Sequence, residues 1–485
     1  MATNEKRIEN LLESDEITLG KAENGTFLCS IPLNGNKCSY NIYSRNFRLA
    51  LKSFWKKQWG ELLNDKEVQD IISILEVECF NSKKKIQLNH RIYAKGRKLI
   101  YQISIDNNES ILIEGGECIF IETPDFLFDG GGDFKNQVEP DLTVPAAKLL
   151  PYIRKHFNVR NEDDVILLTI LIVSSMMGMG FNHPVILIQG EKGSGKSECL
   201  KKLEMIIDPK ASGICTYTNS KEAIVLRLSN SYFTCFDNVS YIPKAISDLF
   251  CSAVTGACDT ARKLYTDTEE RILNLHAIIA MTSINGVAKS ADLVDRSCLI
   301  LLDRFDKSEI KTEVNVMKSF KDDLPLILGA VFNTIAQVLE DKKRVKARDK
   351  IRLADFHVKA IKIGRVLGID EDKISEILFQ NKLELSLSIL ESSSVAICLK
   401  ELMKDKIKYV DTPTNCLNDL RMIASKNGIE KTTLPKDGAR LTKALILIKD
   451  ELSGVYGIEF KQKRRKERLY VIRNNNLEDS DSSDE

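Results

Sequence analysis

The stretch Gly190-Glu-Lys-Gly-Ser-Gly-Lys-Ser197 constrains this chain more than any other, because it dictates a backbone shape and what flanks it. It fills every position of G-x-x-x-x-G-K-S. Glycines let the main chain curl so that its N–H groups point at an anion, and a following helix adds the positive end of its dipole. Val185-Ile-Leu-Ile188, just before it, has the character of a buried parallel strand. A helical stretch through Leu200, Leu203 and Ile206 comes just after. Strand, glycine loop and helix in that order form a phosphate cradle for a nucleoside triphosphate, expected to be ATP with magnesium. Gly190, Glu191, Lys192, Gly193, Ser194, Gly195, Lys196 and Ser197 would wrap the phosphates. Lys196 would reach the β- and γ-phosphates, and the Ser197 hydroxyl would ligate magnesium.

From Pro184 to about Phe305, apolar strands alternate with helical patterns, which implies an α/β core built on a parallel sheet. Tyr232-Phe-Thr-Cys-Phe236 ends at Asp237, the second acidic strand tip that such a sheet needs, so Asp237 is expected on the magnesium. The next residue is Asn238, where many hydrolysing P-loop enzymes carry a glutamate. An asparagine can orient a water but cannot take its proton. Glu269 and Glu270 are candidate bases only because they fall in the same domain. Ala277-Ile-Ile-Ala-Met281 runs into Thr282-Ser-Ile-Asn285, and Asn285 is the candidate to touch the γ-phosphate or the attacking water. Asp292-Leu-Val-Asp295-Arg296 then precedes another strand, Leu299–Leu302. Arg296 suits a trans-acting finger that neutralises charge in a neighbour's site. The other reading is a salt bridge to Asp292 or Asp295; the context favours the finger.

At 485 residues the chain exceeds one hydrophobic core, so about two to four domains are expected. A formal net charge of +1 leaves any nucleic-acid footprint to a local patch. The start, Met-Ala-Thr-Asn-Glu-Lys, lacks the apolar region of a secretory signal. The apolar run Val165–Met177 is too short to span a bilayer and follows a capping Asn161-Glu-Asp-Asp164, so a buried helix and no membrane partner are expected. The 12 cysteines include no CxxC pair, and Cys199, Cys235, Cys298 and Cys398 fall in apolar periodic stretches. They read as buried thiols of a reducing, cytoplasmic compartment. The five histidines show no metal-ligand spacing.

Residues 1–135 mix strand-like runs with one amphipathic helix, a mixed α+β N-terminal domain whose role the residues do not indicate. Phe128-Asp-Gly-Gly-Gly-Asp133 is the best linker candidate. Towards the other end, Leu441, Leu445, Ile448 and Leu452 share one face of a helix, with Lys443 and Lys449 off that stripe. Ile458-Glu-Phe460 and Arg468–Ile472 then read as a hairpin around Lys461, Lys463, Arg464, Arg465 and Lys466. Helix followed by basic hairpin is the layout of a winged helix. Six of the eight residues 461–468 are basic in a near-neutral chain, which favours DNA contact over an ordinary solvated face. Residues 475–485 form an acidic tail expected to be disordered.

P-loop, acidic strand, Asn-tipped strand and D-L-x-D-R arginine together resemble the AAA+ ATPases. The likeness is greatest to putative ATPases and DNA helicases of prophages and bacterial mobile elements, near superfamily 3 and MCM-like replicative helicases. Gly190–Ser197, Ile207-Asp-Pro209, Phe236-Asp-Asn-Val-Ser240, Leu249–Gly256, Arg262–Asp267 with Glu270, and Asp292–Arg296 carry it. It covers about residues 140–473, is specific around 190–300 and is weak over 1–135. The fold it implies is an AAA+ P-loop core with a parallel sheet over residues 136–305, a helical lid over 306–400 and a C-terminal winged helix over 401–474. Arg352-Leu-Ala-Asp-Phe356 resembles the start of the lid, with Arg352 a sensor or a helix-start arginine, and Leu434-Pro435 resembles part of the winged helix. The resemblance further implies a homo-oligomeric ring, commonly a hexamer, with a pore β-hairpin ahead of the sensor strand. Arg262–Thr266, a turn at Asp267-Thr268 and Arg271-Ile-Leu273 fit that hairpin. Arg262 and Lys263 would then grip phosphates of one strand and Tyr265 would stack, unless the hairpin is simply a solvated surface. The activity implied is an ATP-driven DNA helicase or translocase acting in replication of a phage or mobile element. Asn238 keeps open an ATP-gated DNA-binding switch or loader that does not unwind DNA. Arg296 and the basic hairpin disfavour a metabolic P-loop kinase.

Overall fold

The computed structural model describes residues 4–14, 16–23, 25–33, 36–81, 85–129, 133–256, 258–262, 270–283, 291–304, 313–345, 353–464 and 468–477. Its centre is a five-stranded sheet of β1 (Val185–Gln189), β2 (Cys215–Thr216), β3 (Phe233–Asp237), β4 (Ile278–Ser283) and β5 (Ser297–Leu301). The spatial order is β2-β3-β4-β1-β5 and every pairing is parallel. Strands buried on both faces read as unbroken apolar runs, and β1 and β4 are apolar and buried along nearly their whole lengths. Helix Glu162–Ser175 packs beside this sheet, buried from Asp164 to Ser175; the Asn161 side chain caps it by accepting the Asp164 N–H. Such total burial explains a run that is apolar on every face.

The β5 edge is covered rather than left open. Residues 158–160 run along it, with Arg160 N–H donating to Leu301 O (2.9 Å) and Asp303 N–H to Asn158 O (3.0 Å). From the other side, the buried Asn381 exchanges two hydrogen bonds with the Leu299 main chain, at 2.9 and 2.6 Å. Asn381 belongs to helix Glu371–Ser392, one of a helical set with Glu313–Glu340, Ala354–Val366 and Ser394–Leu402. Among the described residues only Val314–Glu340 is long and apolar enough to cross a membrane, and 61% of its most apolar window is buried inside the protein.

The N-terminal part holds three helices, Asn4–Glu13, Arg45–Trp59 and Asp65–Asn81, where one was expected. Two of them bury regular stripes, Phe47, Ala50, Leu51 and Phe54 in the second helix and Val68, Ile71, Ile72 and Leu75 in the third. The hydrophobic cores also divide near residues 81–92 rather than at 135. Ile8, Phe47, Trp55, Ile71 and Leu75 form one core, whereas Tyr101, Ile111 and Ile113 join the core of the parallel sheet. Arg91 is the reason that join is tight. It is 2% exposed, donates to Asp208 Oδ1 (2.9 Å), Lys135 O (2.8 Å) and Pro209 O (2.9 Å), and lies over the Phe134 ring. Asp208 Oδ2 in turn accepts the Phe233 N–H at 3.2 Å, tying that ion pair to the start of β3. The linker candidate is anchored at both ends: Phe128 is buried, and Asp133 accepts from the Ser212 N–H at 2.7 Å.

At the C-terminal end, Lys408–Asp411 pairs antiparallel with Arg468–Asn474, which pairs with Ile458–Arg464. Helices Pro413–Lys426, Gly438–Leu447 and Lys449–Tyr456 lie between the first strand and the hairpin. The single helix expected over 441–452 is two, because Ile448 (φ −120°, ψ 11°) ends one and begins the next. The apolar stripe survives the break: Leu441, Leu445, Ile448 and Leu452 are all buried.

Candidate functional site

The loop after β1 takes the shape its glycines permit. Gly193 and Gly195 adopt φ of 86° and 83°, in the left-handed region that other residues disfavour. A Cβ on Gly190 would lie 2.4 Å from Ser194 Oγ and 3.0 Å from Leu302 O, so nothing larger fits there. Helix Lys196–Ile207 starts directly after Gly195, with its first N–H groups facing the loop. Lys196 Nζ donates back to Gly190 O (2.7 Å) and Glu191 O (2.6 Å), so its ammonium lies inside the loop's curl. Burial pushes that ammonium below lysine's ordinary range, while the Asp237 carboxylate pulls it upward. Ser194 Oγ is buried with no hydrogen-bond partner, a polar atom left over inside the cradle.

The tips of β1, β3 and β4 converge beside this loop. Ser197 Oγ lies 3.0 and 2.8 Å from the two carboxylate oxygens of Asp237 and donates to them. Thr282 Oγ1, on the strand between β1 and β3, donates to Asp237 Oδ1 and accepts the Asn238 N–H at 2.8 Å. Sequence reasoning missed Thr282. Its signal is register: it follows Met281, which pairs with Phe236, and so stands level with Asp237. Asn238 itself has φ 58°, a turn held by the Thr282 hydroxyl and by Val239 N–H donating to Thr282 O (2.8 Å). Another missed contact is Lys202, whose buried Nζ donates to His156 O at 2.6 Å and pins the loop's helix to the end of helix Leu149–His156. An ammonium, a hydroxyl and a carboxylate around a ring of main-chain donors suit a phosphate chain with a divalent cation.

Arg296 occupies a different place. Ser297 is level with Val185 and Leu301 with Gln189, so Arg296 precedes β5 at the sheet end opposite the loop. Four strand residues separate the two ends, about 13 Å. Its Nη1 donates to Asp292 O at 2.9 Å and lies 2.7 Å from Asp292 Oδ1, the ion pair that was one of its two readings. Asp295 faces Lys382 at 3.2 Å. Asn285, Lys263, Tyr265, Glu269 and Arg352 lie outside the described residues.

Two further features are the candidates for nucleic-acid contact. Strands Cys258–Arg262 and Glu270–Asn274 form an antiparallel hairpin just before β4, with Arg262 opposite Glu270. In the C-terminal hairpin, Lys461 and Lys463 are exposed and Lys461 lies 3.1 Å from Glu459. Arg464 ends its strand opposite Arg468, while Arg465 and Lys466 lie outside the described residues.

Residues 155–371 match the family described as Actinomycete integrative conjugative element replication protein. The match takes in residues 190–197, Asp237 and Arg296, covers a little under half the chain and supports a role in replication of a mobile element. No curated protein matches. Among solved structures, the chain is similar to an apo structure of the NrS-1 C terminal region, with 12% identity and a TM-score of 0.41 over 98% of this chain and 100% of that one. A second apo form of that region gives 10% identity and a TM-score of 0.42 over 96% and 98%.

Proposed function

We propose that this chain is an ATP-driven DNA helicase or translocase that acts in replication of a mobile element or phage. The observation that carries the reading is the meeting of the Ser197 hydroxyl and the Asp237 carboxylate beside the Lys196 loop. Lys196 and the main-chain N–H groups of residues 191–197 would hold the phosphates, and Ser197 with Asp237 would hold magnesium. Magnesium–ATP supplies the phosphoanhydride bond whose cleavage powers movement. Thr282 keeps the carboxylate oriented, and Asn238, beside it, is placed to orient a water.

Arg296 fits a ring in which each subunit serves its neighbour. At the far end of its own sheet it cannot reach its own loop, so an action on nucleotide belongs to the adjacent subunit's site. Breaking the Asp292 contact would accompany that engagement. The hairpin 258–274, with Arg262 and Lys263, would face the pore, and the strand–helix–helix–hairpin unit 408–474 would act as a winged helix reading duplex DNA through Lys461–Lys466.

Two observations favour a second reading. Asn238 replaces the proton-accepting glutamate and Asp292 holds Arg296, both of which suit slow hydrolysis by an ATP-gated switch or loader. A forked-duplex assay with ATP separates them. Strand separation that needs hydrolysable ATP supports the helicase; ATP-dependent binding to the fork without separation supports the switch.

A further inference from the structure

The N-terminal 81 residues have a core of their own and no part in the reading above. Helix Arg45–Trp59 carries Arg45, Arg48, Lys52, Lys56 and Lys57 and no acidic residue, in a chain whose net charge is +1. Phe47, Leu51, Phe54 and Trp55 bury one face. At 100° per residue, Arg45, Arg48, Lys52 and Lys56 fall within about one quadrant that borders the buried face next to Trp55. From Arg45 to Lys56 that stripe is roughly 16 Å long. Arg48 donates to Gln69 (2.8 Å) and Lys52 meets Asp65 (2.7 Å), while Arg45 and Lys56 have no carboxylate partner among the described residues.

A second feature continues the stripe at its Arg45 end. Tyr43 is 49% exposed and Phe80 67% exposed, although rings of that size are ordinarily covered. Phe27 and Lys21 lie between them: the Tyr43 ring lies 6.4 Å from Phe27, and Lys21 Nζ lies 5.6 Å from the Phe27 ring and 5.0 Å from the Phe80 ring. The Tyr43 hydroxyl lies beside the Glu76 carboxylate, one turn before Phe80 on the same helix, and burial, with that negative charge, raises its pKa. Open aromatic faces beside a lysine, leading into a row of cations, combine stacking with phosphate attraction.

We infer that this surface is a single-stranded DNA site, with Tyr43 and Phe80 stacking on bases and the Arg45–Lys56 stripe following the backbone. Arg45 and Lys56 supply the attraction for a polyanion, beside the Asp65 and Glu76 carboxylates, and the exposed rings select unpaired bases over a duplex, whose bases are already stacked. The inference rests on neither the nucleotide site nor the C-terminal hairpin. It places a strand-holding site on the part of the chain whose core is separate from that of the parallel sheet.

The test is fluorescence anisotropy of the full chain with a labelled oligo-dT strand and a labelled duplex across a salt titration. Tyr43→Ala with Phe80→Ala should weaken oligo-dT binding about tenfold or more and leave duplex binding unchanged. Arg45→Gln with Lys56→Gln should lower the log–log salt slope for oligo-dT by about 1.4, at 0.7 per lost contact. These side chains are exposed, so thermal unfolding should match the wild type. Unchanged oligo-dT affinity and slope in both variants would overturn the inference. So would binding of the wild type to anionic phosphatidylserine vesicles that both variants lose while oligo-dT binding stays intact.

Discussion

The glycine loop Gly190–Ser197 and the C-terminal basic hairpin are built on opposite principles. At the loop, the two charged groups that face each other are fixed, Asp237 by Ser197 and Thr282 and Lys196 by two carbonyls, while Glu191 and Lys192 stay exposed on its outside. At the hairpin, cations are numerous, exposed and loosely held, as Lys461 and Lys463 are. Fixed geometry suits a reaction in which a displacement of about 1 Å is costly. Exposed charge suits a uniform polyanion, where affinity comes from counterion release and no single contact dominates. The two regions should therefore fail separately, and in different ways.

The largest separation should come from Arg296→Ala. Nucleotide binding should persist while hydrolysis falls about 10³-fold or more, and mixing with Lys196→Ala protein should restore part of it by pairing an intact loop with an intact arginine. No recovery between co-assembling proteins would leave Arg296 as the partner of Asp292 and nothing more. On the hairpin side, Arg464→Ala, Arg465→Ala and Lys466→Ala together should lower the duplex salt slope by roughly 2.7, at about 0.9 for each contact. Basal hydrolysis should not change. A slope equal to wild type would remove the hairpin from the DNA interface.

Thr282→Val should act only on the first region, lowering kcat about tenfold by removing one hydrogen bond to a charged group. The magnesium concentration needed for half-maximal rate should rise, and Thr282→Ser should restore both. If Val and Ser behave alike, the hydroxyl does not orient Asp237.

The smallest effect concerns the buried support beneath the loop. Burial raises the Glu204 carboxyl on the loop's helix to about 7, from an ordinary 4.5. Its contribution to stability is full below pH 4.5 and is lost as pH rises through 7. Glu204→Gln should therefore leave Tm unchanged near pH 4 and raise it modestly at pH 8. A rise that is equal at both values would sink this account of the site's support.

How far these two regions were legible follows from the same contrast. The loop was readable because G-x-x-x-x-G-K-S is a local backbone requirement, and the strand and helix that flank it lie where the apolar runs place them. Asp237 was readable as the acidic end of an apolar strand. Thr282 was not, since its role comes from register against β3, which no local pattern states. Arg91 and Asp208 lie 117 positions apart in the chain, so the join that moves the core boundary from 135 to 81–92 has no short-range signature. In the C-terminal unit, periodicity found every buried residue of the stripe and missed the break at Ile448, because a single non-helical residue barely disturbs the spacing.

The central claim is that Gly190–Ser197 powers work on DNA, and one assay addresses it directly. Wild type and Lys196→Ala are compared on a labelled forked duplex with magnesium–ATP, recording fork binding, phosphate release and strand separation together. The account predicts that Lys196→Ala still binds the fork but neither releases phosphate nor separates strands, while the wild type does both. Phosphate release and strand separation by Lys196→Ala at wild-type rates would contradict it.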